Sequence, residues 1–398
     1  MPLQVKPDFP SGLPAPDPDS TAHSDAVAGY IRARIVESGG SIGFAEFMQY
    51  ALYAPGLGYY SAGTQKFGAG GDFVTAPELS TLFGRVLGAQ CAELLAGLPG
   101  SCVLELGAGS GALAIQLLTK LASVNALPRK YLILEPSAEL QARQKQRIVN
   151  ELPEHLRCVE WLAAWPQNFV GAVVANEVAD ALPVTRFVVR DGNILELRVV
   201  AVAGGFSWLE QAATPGLRAA VRQIEQDIGK QLPDGFVSEV CLALPGWIGD
   251  LAGCISAGFV FLFDYGISRR EYYSAEHNGG WLRCHFRHRV HGDALILPGI
   301  QDLTAWVDFS SVADAATTGS MEVAGFVTQA HFLLNGGLQR ELEQLSALPV
   351  REQFELSRQV KLLTLPGEMG EHFKCIGLGK GAVTMPSVFE RSDRAHAL

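Results

Sequence analysis

Net positive charge is the first thing missing from this chain: 31 basic residues stand against 41 acidic ones, a formal net charge of -10. A molecule of that sign repels a phosphate backbone, which argues against nucleic acid as its partner and leaves only a local basic patch to reverse the argument. Paired cysteines are missing too. The seven thiols, at 91, 102, 158, 241, 254, 284 and 375, form no Cys-x-x-Cys pair, and several sit inside apolar runs, the pattern of a reducing cytoplasm. No apolar run is long enough to span a bilayer: "LAGCISAGFVFLF" at 251–263 falls short of the roughly 20 residues a helix needs there. It reads as a buried helix end running into a buried strand, so no membrane insertion is expected. The Pro- and Asp-rich start lacks both a basic lead with an apolar block and an Arg-rich amphipathic face. Residues 1–24 therefore read as a disordered or surface lead-in, not as an export or organelle signal. Internal repeats are absent.

What is present suffices for a large core: 398 residues, 48% of them hydrophobic, fit one large domain or a domain with a substantial insertion. Residues 25–100 read as a helical cap or lid region, with "DAVAGYIRARIV" and "GFAEFMQYALYAPGLGYY" at helical spacing. From 101 the rhythm changes to short apolar strands separated by helices, as in "CVLELGAGSG", "KYLILEPS" and "GAVVANEVADALP". Alternation of this kind predicts an α/β fold with a parallel sheet covered by helices on both faces. The first half of that domain spans 101–183. A β-hairpin and helical insertion is expected over 184–235, with "DGN" as its turn signal. The core sheet resumes at 236–266, an irregular insertion occupies 267–300, and 301–398 completes the core, with "DLTAWVDFSSVADAA" as a helix.

The segment "VLELGAGSG" puts Gly107, Ala108, Gly109 and Gly111 at the carboxyl end of a buried strand where a helix begins. Glycines there let the backbone turn sharply and approach a ligand, and the helix start offers unpaired N–H groups. Gly107, Gly109 and Ala112 also satisfy a dinucleotide pattern, so the turn alone leaves the cofactor open. Glu105 just before it suits a cationic amino-acid head group and would repel a pyrophosphate, which favours S-adenosylmethionine. Its competing reading is a solvated strand-end acid. Glu135, ending the second strand, can accept both ribose hydroxyls of either cofactor. After the third strand, Trp161 or Leu162 can stack on an adenine, or simply pack.

"VVANEVADALP" follows the fourth strand, where the crevice of such a sheet opens. Polar groups at an apolar strand end are costly unless used, which marks Asn176, Glu177 and Asp180. Carboxylates suit a guanidinium acceptor, whose planar fork of donors matches paired acids. Glu177 and Asp180, joined by Glu239 from "GFVSEVC", form the candidate acceptor set. A helix cap for Asp180 and solvation for Glu177 compete with it.

The ordered string "GYYSAG…GDFVTAPELSTLFG", "LELGAGSG", "LEPS", "ANEVADALPV", "FDYG", "PGIQDLTAWVDF", "TQAHFL" and "MGEHFK" closely resembles the MidA-like methyltransferases. These are bacterial relatives of the mitochondrial protein arginine methyltransferase that assists assembly of respiratory complex I. The resemblance covers about Ile42 to Gly379. It implies a class I methyltransferase sheet, mostly parallel with its last strand antiparallel, S-adenosylmethionine as donor, and an arginine side chain of a protein as acceptor. It also implies that "GDFVTAPE" closes over the cofactor, with Asp72, Phe73 and Thr75 facing it. Where the family usually carries an aromatic pair between the Glu and the Asp, this chain has Val178 and Ala179, which bears on substrate identity more than on chemistry.

His285, His288 and His291 in "WLRCHFRHRVHGD" lack both the helical spacing of common zinc sites and a completing acid or thiolate cluster, so no metal is expected. A polar insertion or a docking surface for an acidic partner fits better. Asp264 and Tyr265 in "FDYG" fit a structural turn or a substrate contact. Two rival functions remain at this stage: an assembly protein that binds the cofactor without turnover, and a nicotinamide-dependent oxidoreductase resting on the Gly107-to-Ala112 pattern alone.

Overall fold

Helices separate most strands of the larger sheet along the chain, and a segment of a second unit lies between its fourth and fifth. Its computed structural model describes residues 12–61, 75–344 and 348–398. Eight strands make the larger sheet: β1 (Cys102–Leu106), β2 (Tyr131–Leu134), β3 (Val159–Leu162), β4 (Phe169–Asn176), β5 (Ile255–Ile267), β6 (Val307–Asp308), β7 (Glu322–Thr328) and β8 (Phe373–Lys380). Their order is β7-β8-β5-β4-β1-β2-β3, with β6 beside β5. The strands β1 to β5 pair in parallel, and β8 runs antiparallel to both β5 and β7. That is the class I methyltransferase sheet with its reversed last strand. Because β1 is buried at every position, it reads as an unbroken apolar run and not as an alternation.

This sheet belongs to a unit made of Val74–Ala179, Pro245–Ser268 and Val307–Leu398. Its early helices are α1 (Ala76–Leu79), α2 (Thr81–Ala96), α3 (Ala112–Ser123) and α4 (Ala138–Glu151). Val103, Ile133, Val174, Phe261, Phe263 and Phe332 share its core, with the rings of Phe263 and Phe332 edge to face at 4.7 Å. The strand order turns back between β1 and β4. At such a switch point a crevice opens beyond the carboxyl ends of the strands.

A second unit comprises Met1–Phe73, Asp180–Leu244 and Arg269–Trp306. Its five-stranded sheet joins Ile42–Gly43, Thr185–Arg190, Asn193–Val202, Gly205–Ala212 and Val237–Val240, all pairings antiparallel. The expected hairpin turns on Asp191 and Gly192, both at positive φ (49° and 73°), as a two-residue turn matched to strand twist requires. Phe44, Phe47, Val199, Phe206 and Leu303 lie in this unit's own core.

Three expectations change. The lead-in ends early, because Asp17 caps a helix that begins at Pro18, where a proline suits the first turn. The stretch read as irregular, 267–300, supplies two strands of a three-stranded sheet, Leu282–Phe286 and Arg289–His291, and Asp302–Ala305 just beyond it is the third. The helix expected across "DLTAWVDFSSVADAA" starts only at Phe309. Its first residues are consumed by strand pairing, and Asp308 caps the helix by accepting from the N–H groups of Ser310 and Ser311.

Candidate active site

The glycine turn after β1 has the conformation its composition requires. Gly107, Gly109 and Gly111 all sit at positive φ (60°, 52° and 82°), a region that side chains with a Cβ rarely adopt. The Gly107 N–H donates to the Leu134 carbonyl at the end of β2, and Ala108 is buried with its carbonyl accepting from Gly111. A Cβ at Gly107 would meet Cγ2 of Val178 at 3.2 Å, so the residues after β4 lie directly against the turn.

Glu105, on the buried strand before the turn, is 2% exposed and accepts from the Tyr131 hydroxyl at 2.5 Å. Burial pushes its carboxyl up to about 7, the Tyr131 bond opposes that, and Glu135 adds to it. It is not a solvated strand-end acid. Glu135 is buried at the end of β2, and burial raises its carboxyl above the usual range while the Ser137 N–H and the Gln144 amide hold it down. Trp161 at the end of β3 is half-buried and donates its indole N–H to Gln144 Oε1 at 2.9 Å. Thr75 is half-buried and precedes α1 as its N-cap residue. Asp72 and Phe73 lie outside the described residues.

Past β4, Asn176 donates through Nδ2 to Glu177 Oε1 at 3.0 Å, while its Oδ1 is buried and, among the described residues, has no donor. Glu177 adopts a φ of 55°, unusual for a residue with a side chain, and its N–H is held at 2.9 Å by the Phe263 carbonyl of β5. Asp264 steadies the same loop: its two carboxylate oxygens accept from the N–H groups of Ala179 and Tyr265. These bonds fit the structural turn expected of Asp264.

Two expected acids fall in the other unit. Asp180 is buried there, with its carbonyl accepting from the Ala305 N–H. Glu239 is fully buried and accepts from the Tyr272 hydroxyl at 3.0 Å and from the Trp281 N–H, with Arg186 at 3.8 Å. Burial is the largest influence on its carboxyl and raises it. In the same unit burial first, then His291 and Arg283, push His285 down to about 4. Among the described residues no group of three or more His, Cys, Asp or Glu side chains is arranged to hold a metal ion.

The family described as "Putative S-adenosyl-L-methionine-dependent methyltransferase" matches residues 86–327, from α2 through most of β7. The chain belongs to this methyltransferase family. Its donor is S-adenosylmethionine. A Burkholderia thailandensis protein solved with S-adenosyl-homocysteine bound is 38% identical, with a TM-score of 0.90 over 97% of this chain and 100% of that one. A native structure from the same organism, also 38% identical, gives 0.88. Among curated proteins, the "Protein arginine methyltransferase NDUFAF7 homolog, mitochondrial" of Drosophila melanogaster is 31% identical over 92% of this chain and 88% of its own length. The Danio rerio "Protein arginine methyltransferase NDUFAF7, mitochondrial" is 28% identical over 89% and 87%.

The residues of this methyltransferase fit its donor. A left-handed glycine turn, a buried acid at the end of β2, an indole at the end of β3 and, at the end of β4, an amide oxygen with no donor among the described residues all stand at the carboxyl edge of one sheet. An electropositive ligand with ribose hydroxyls suits that edge better than a pyrophosphate, and the nicotinamide reading falls with it.

Reading the sequence alone passed over four residues. Tyr131 supplies the hydroxyl on Glu105. Glu78 and Arg147 converge on the Ser110 hydroxyl of the turn, Arg147 at 2.7 Å from Glu78 and 2.8 Å from Ser110. Gln144 had a visible signal: it stands midway between Leu140 and Ile148, a polar residue in the buried stripe of α4.

Proposed function

We propose that this methyltransferase modifies a guanidinium nitrogen of an arginine side chain in a protein. The observation that carries the reading is Glu177, held in left-handed backbone by Phe263, with its carboxylate steadied by the Asn176 amide. Strain of this kind in a residue other than glycine costs of order 1–3 kcal/mol and collects at sites that use it. The names of the curated relatives support the same acceptor.

When bound, S-adenosylmethionine supplies an electrophilic methyl group, so the protein's task is alignment and proton removal. In this reading Glu177 orients one guanidinium nitrogen and takes the proton that nitrogen must lose. Asn176 offers its Oδ1 to a donor N–H. Glu105 would hold the donor's ammonium group and Glu135 its ribose hydroxyls, and the turn from Gly107 to Gly111 and Trp161 would hold the adenosine. Asp180 stays a candidate second carboxylate from its place in the sequence. Glu239 is left out of this reading, because it lies in the other unit and its Oε1 is taken by the Tyr272 hydroxyl and the Trp281 N–H. A subunit of respiratory complex I is the acceptor protein the family resemblance implies. The seven free thiols support a reducing cytoplasm as its compartment.

The test is transfer of labelled methyl from S-adenosylmethionine into extract proteins of a deletion strain, read as methylarginine by mass spectrometry. Glu177→Gln should keep cofactor affinity and lower transfer by roughly 10²-fold. Label found only on residues other than arginine would overturn the acceptor, and full activity in Glu177→Gln would remove that carboxylate from the chemistry.

A further inference from the structure

Gln144 is 0% exposed and uses its whole amide. Its Nε2 donates to the Gly109 carbonyl at 3.0 Å and to Glu135 Oε2 at 3.2 Å, while Oε1 accepts from the Trp161 indole at 2.9 Å. Two acceptors on one side and a lone donor on the other fix which way the amide points. One side chain thereby joins the glycine turn after β1, the acid at the end of β2 and the indole at the end of β3. The fit is close as well as polar, since a Cβ at Gly111 would lie 3.5 Å from Gln144 atoms. A buried glutamine is an expensive way to fill the stripe between Leu140 and Ile148, where an apolar residue would serve packing alone.

We infer that Gln144 is a positioning residue for the cofactor: it sets the Gly109 carbonyl, the Glu135 carboxylate and the Trp161 ring in their mutual geometry before the adenosine arrives. The inference rests on the cofactor assignment and extends it to a residue that would touch the ligand only through others. Pre-set polar groups raise affinity by sparing the ligand the cost of ordering them. Loss of Gln144 should therefore weaken binding of the adenosine half without changing transfer once the site is full.

The experiment is calorimetric titration of the full chain with S-adenosyl-homocysteine, alongside steady-state transfer and thermal melting. Gln144→Leu keeps the size and removes every polar bond. It should weaken binding and raise the donor KM by roughly tenfold, with kcat within about twofold of wild type. Gln144→Glu keeps the acceptor for Trp161 but loses both donations when ionised and regains one of them, through its single O–H, when protonated. Its charged neighbours are Glu135 and, beyond that, Glu105, while Arg147 one turn along α4 is engaged by Glu78 and Glu151. Burial beside Glu135 raises the new carboxyl above its ordinary range, so affinity of Gln144→Glu relative to wild type should recover in part as pH is lowered, a rescue that a packing role would not produce. Wild-type affinity in folded Gln144→Leu, or a fall in kcat at unchanged KM, overturns the inference; should that variant fail to fold, a pH-independent deficit in Gln144→Glu does so. A wild-type chain that binds no S-adenosyl-homocysteine overturns the cofactor assignment itself, a different and separable failure.

Discussion

Glu105 carries most of the pH dependence that this site can show. Its carboxyl has an ordinary value of 4.5 and is pushed up to about 7 by burial. Between those values the folded chain keeps a proton that the unfolded chain has released, so stability falls as pH rises through that window. The contribution is intact below about 4.5 and gone above about 7. Glu105→Gln should flatten the fall, which amounts to about 3 kcal/mol at most, in denaturant midpoints taken across the window. With Glu105 holding the donor's ammonium group as proposed, donor affinity should move the other way: the ammonium favours the ionised acid, so binding should tighten as pH rises through about 7 in wild type and stay level in Glu105→Gln. A midpoint curve with equal slope in both proteins would refute the assignment. The places of Glu105 and Glu135 at strand ends were legible in the sequence, because apolar strands stop at the turns that follow them. Their state was not, since desolvation depends on how many neighbours close over a group.

Elements were legible in proportion to how local their causes are. The Asp191-Gly192 hairpin is dictated by two residues that accept positive φ, and it forms where expected. The Phe309–Thr318 helix shows the opposite case. Its apolar spacing extends backward through Ala305, but pairing of Asp302–Ala305 with Leu282–Phe286 claims that stretch, and only the cap at Asp308 marks the true start. Asp308→Ala should cost about 1 kcal/mol, read as a lowered melting temperature, with donor affinity retained. If affinity fell in step with stability, Asp308 would have a role beyond capping. In α4 the same lesson applies to function: the period revealed a buried stripe, and only the neighbouring strand ends revealed why glutamine occupies it.

At the scale of the molecule, three segments of chain build each of two units, and the sheet unit alone holds the glycine turn, Glu105, Glu135, Trp161, Asn176 and Glu177. Ligand that binds only the folded sheet stabilises it by mass action, about 2.7 kcal/mol at 100 times its Kd. S-adenosylmethionine should accordingly raise the melting temperature of the wild-type chain. Gly109→Val, which forces a branched side chain into a φ of 52°, should abolish that rise and detectable donor binding while the circular dichroism spectrum is kept. A folded Gly109→Val protein with an undiminished ligand shift would contradict the placement of the cofactor at this turn. No helix among the described residues is long and apolar enough to cross a membrane, in keeping with the short apolar runs.

Sequence alone determined the sheet, the left-handed glycine turn at its carboxyl edge and the methyltransferase class, because strand burial, positive φ and strand-end acids follow from residue type and near neighbours. Tertiary structure decided the rest. It assigned Asp264 to steady a loop, enclosed Glu239 among its own partners, gave Tyr131 to Glu105 and drew Gln144 onto three strand ends at once. Those outcomes depend on residues far apart in the chain meeting at hydrogen-bond distance, and local pattern contains no measure of that distance.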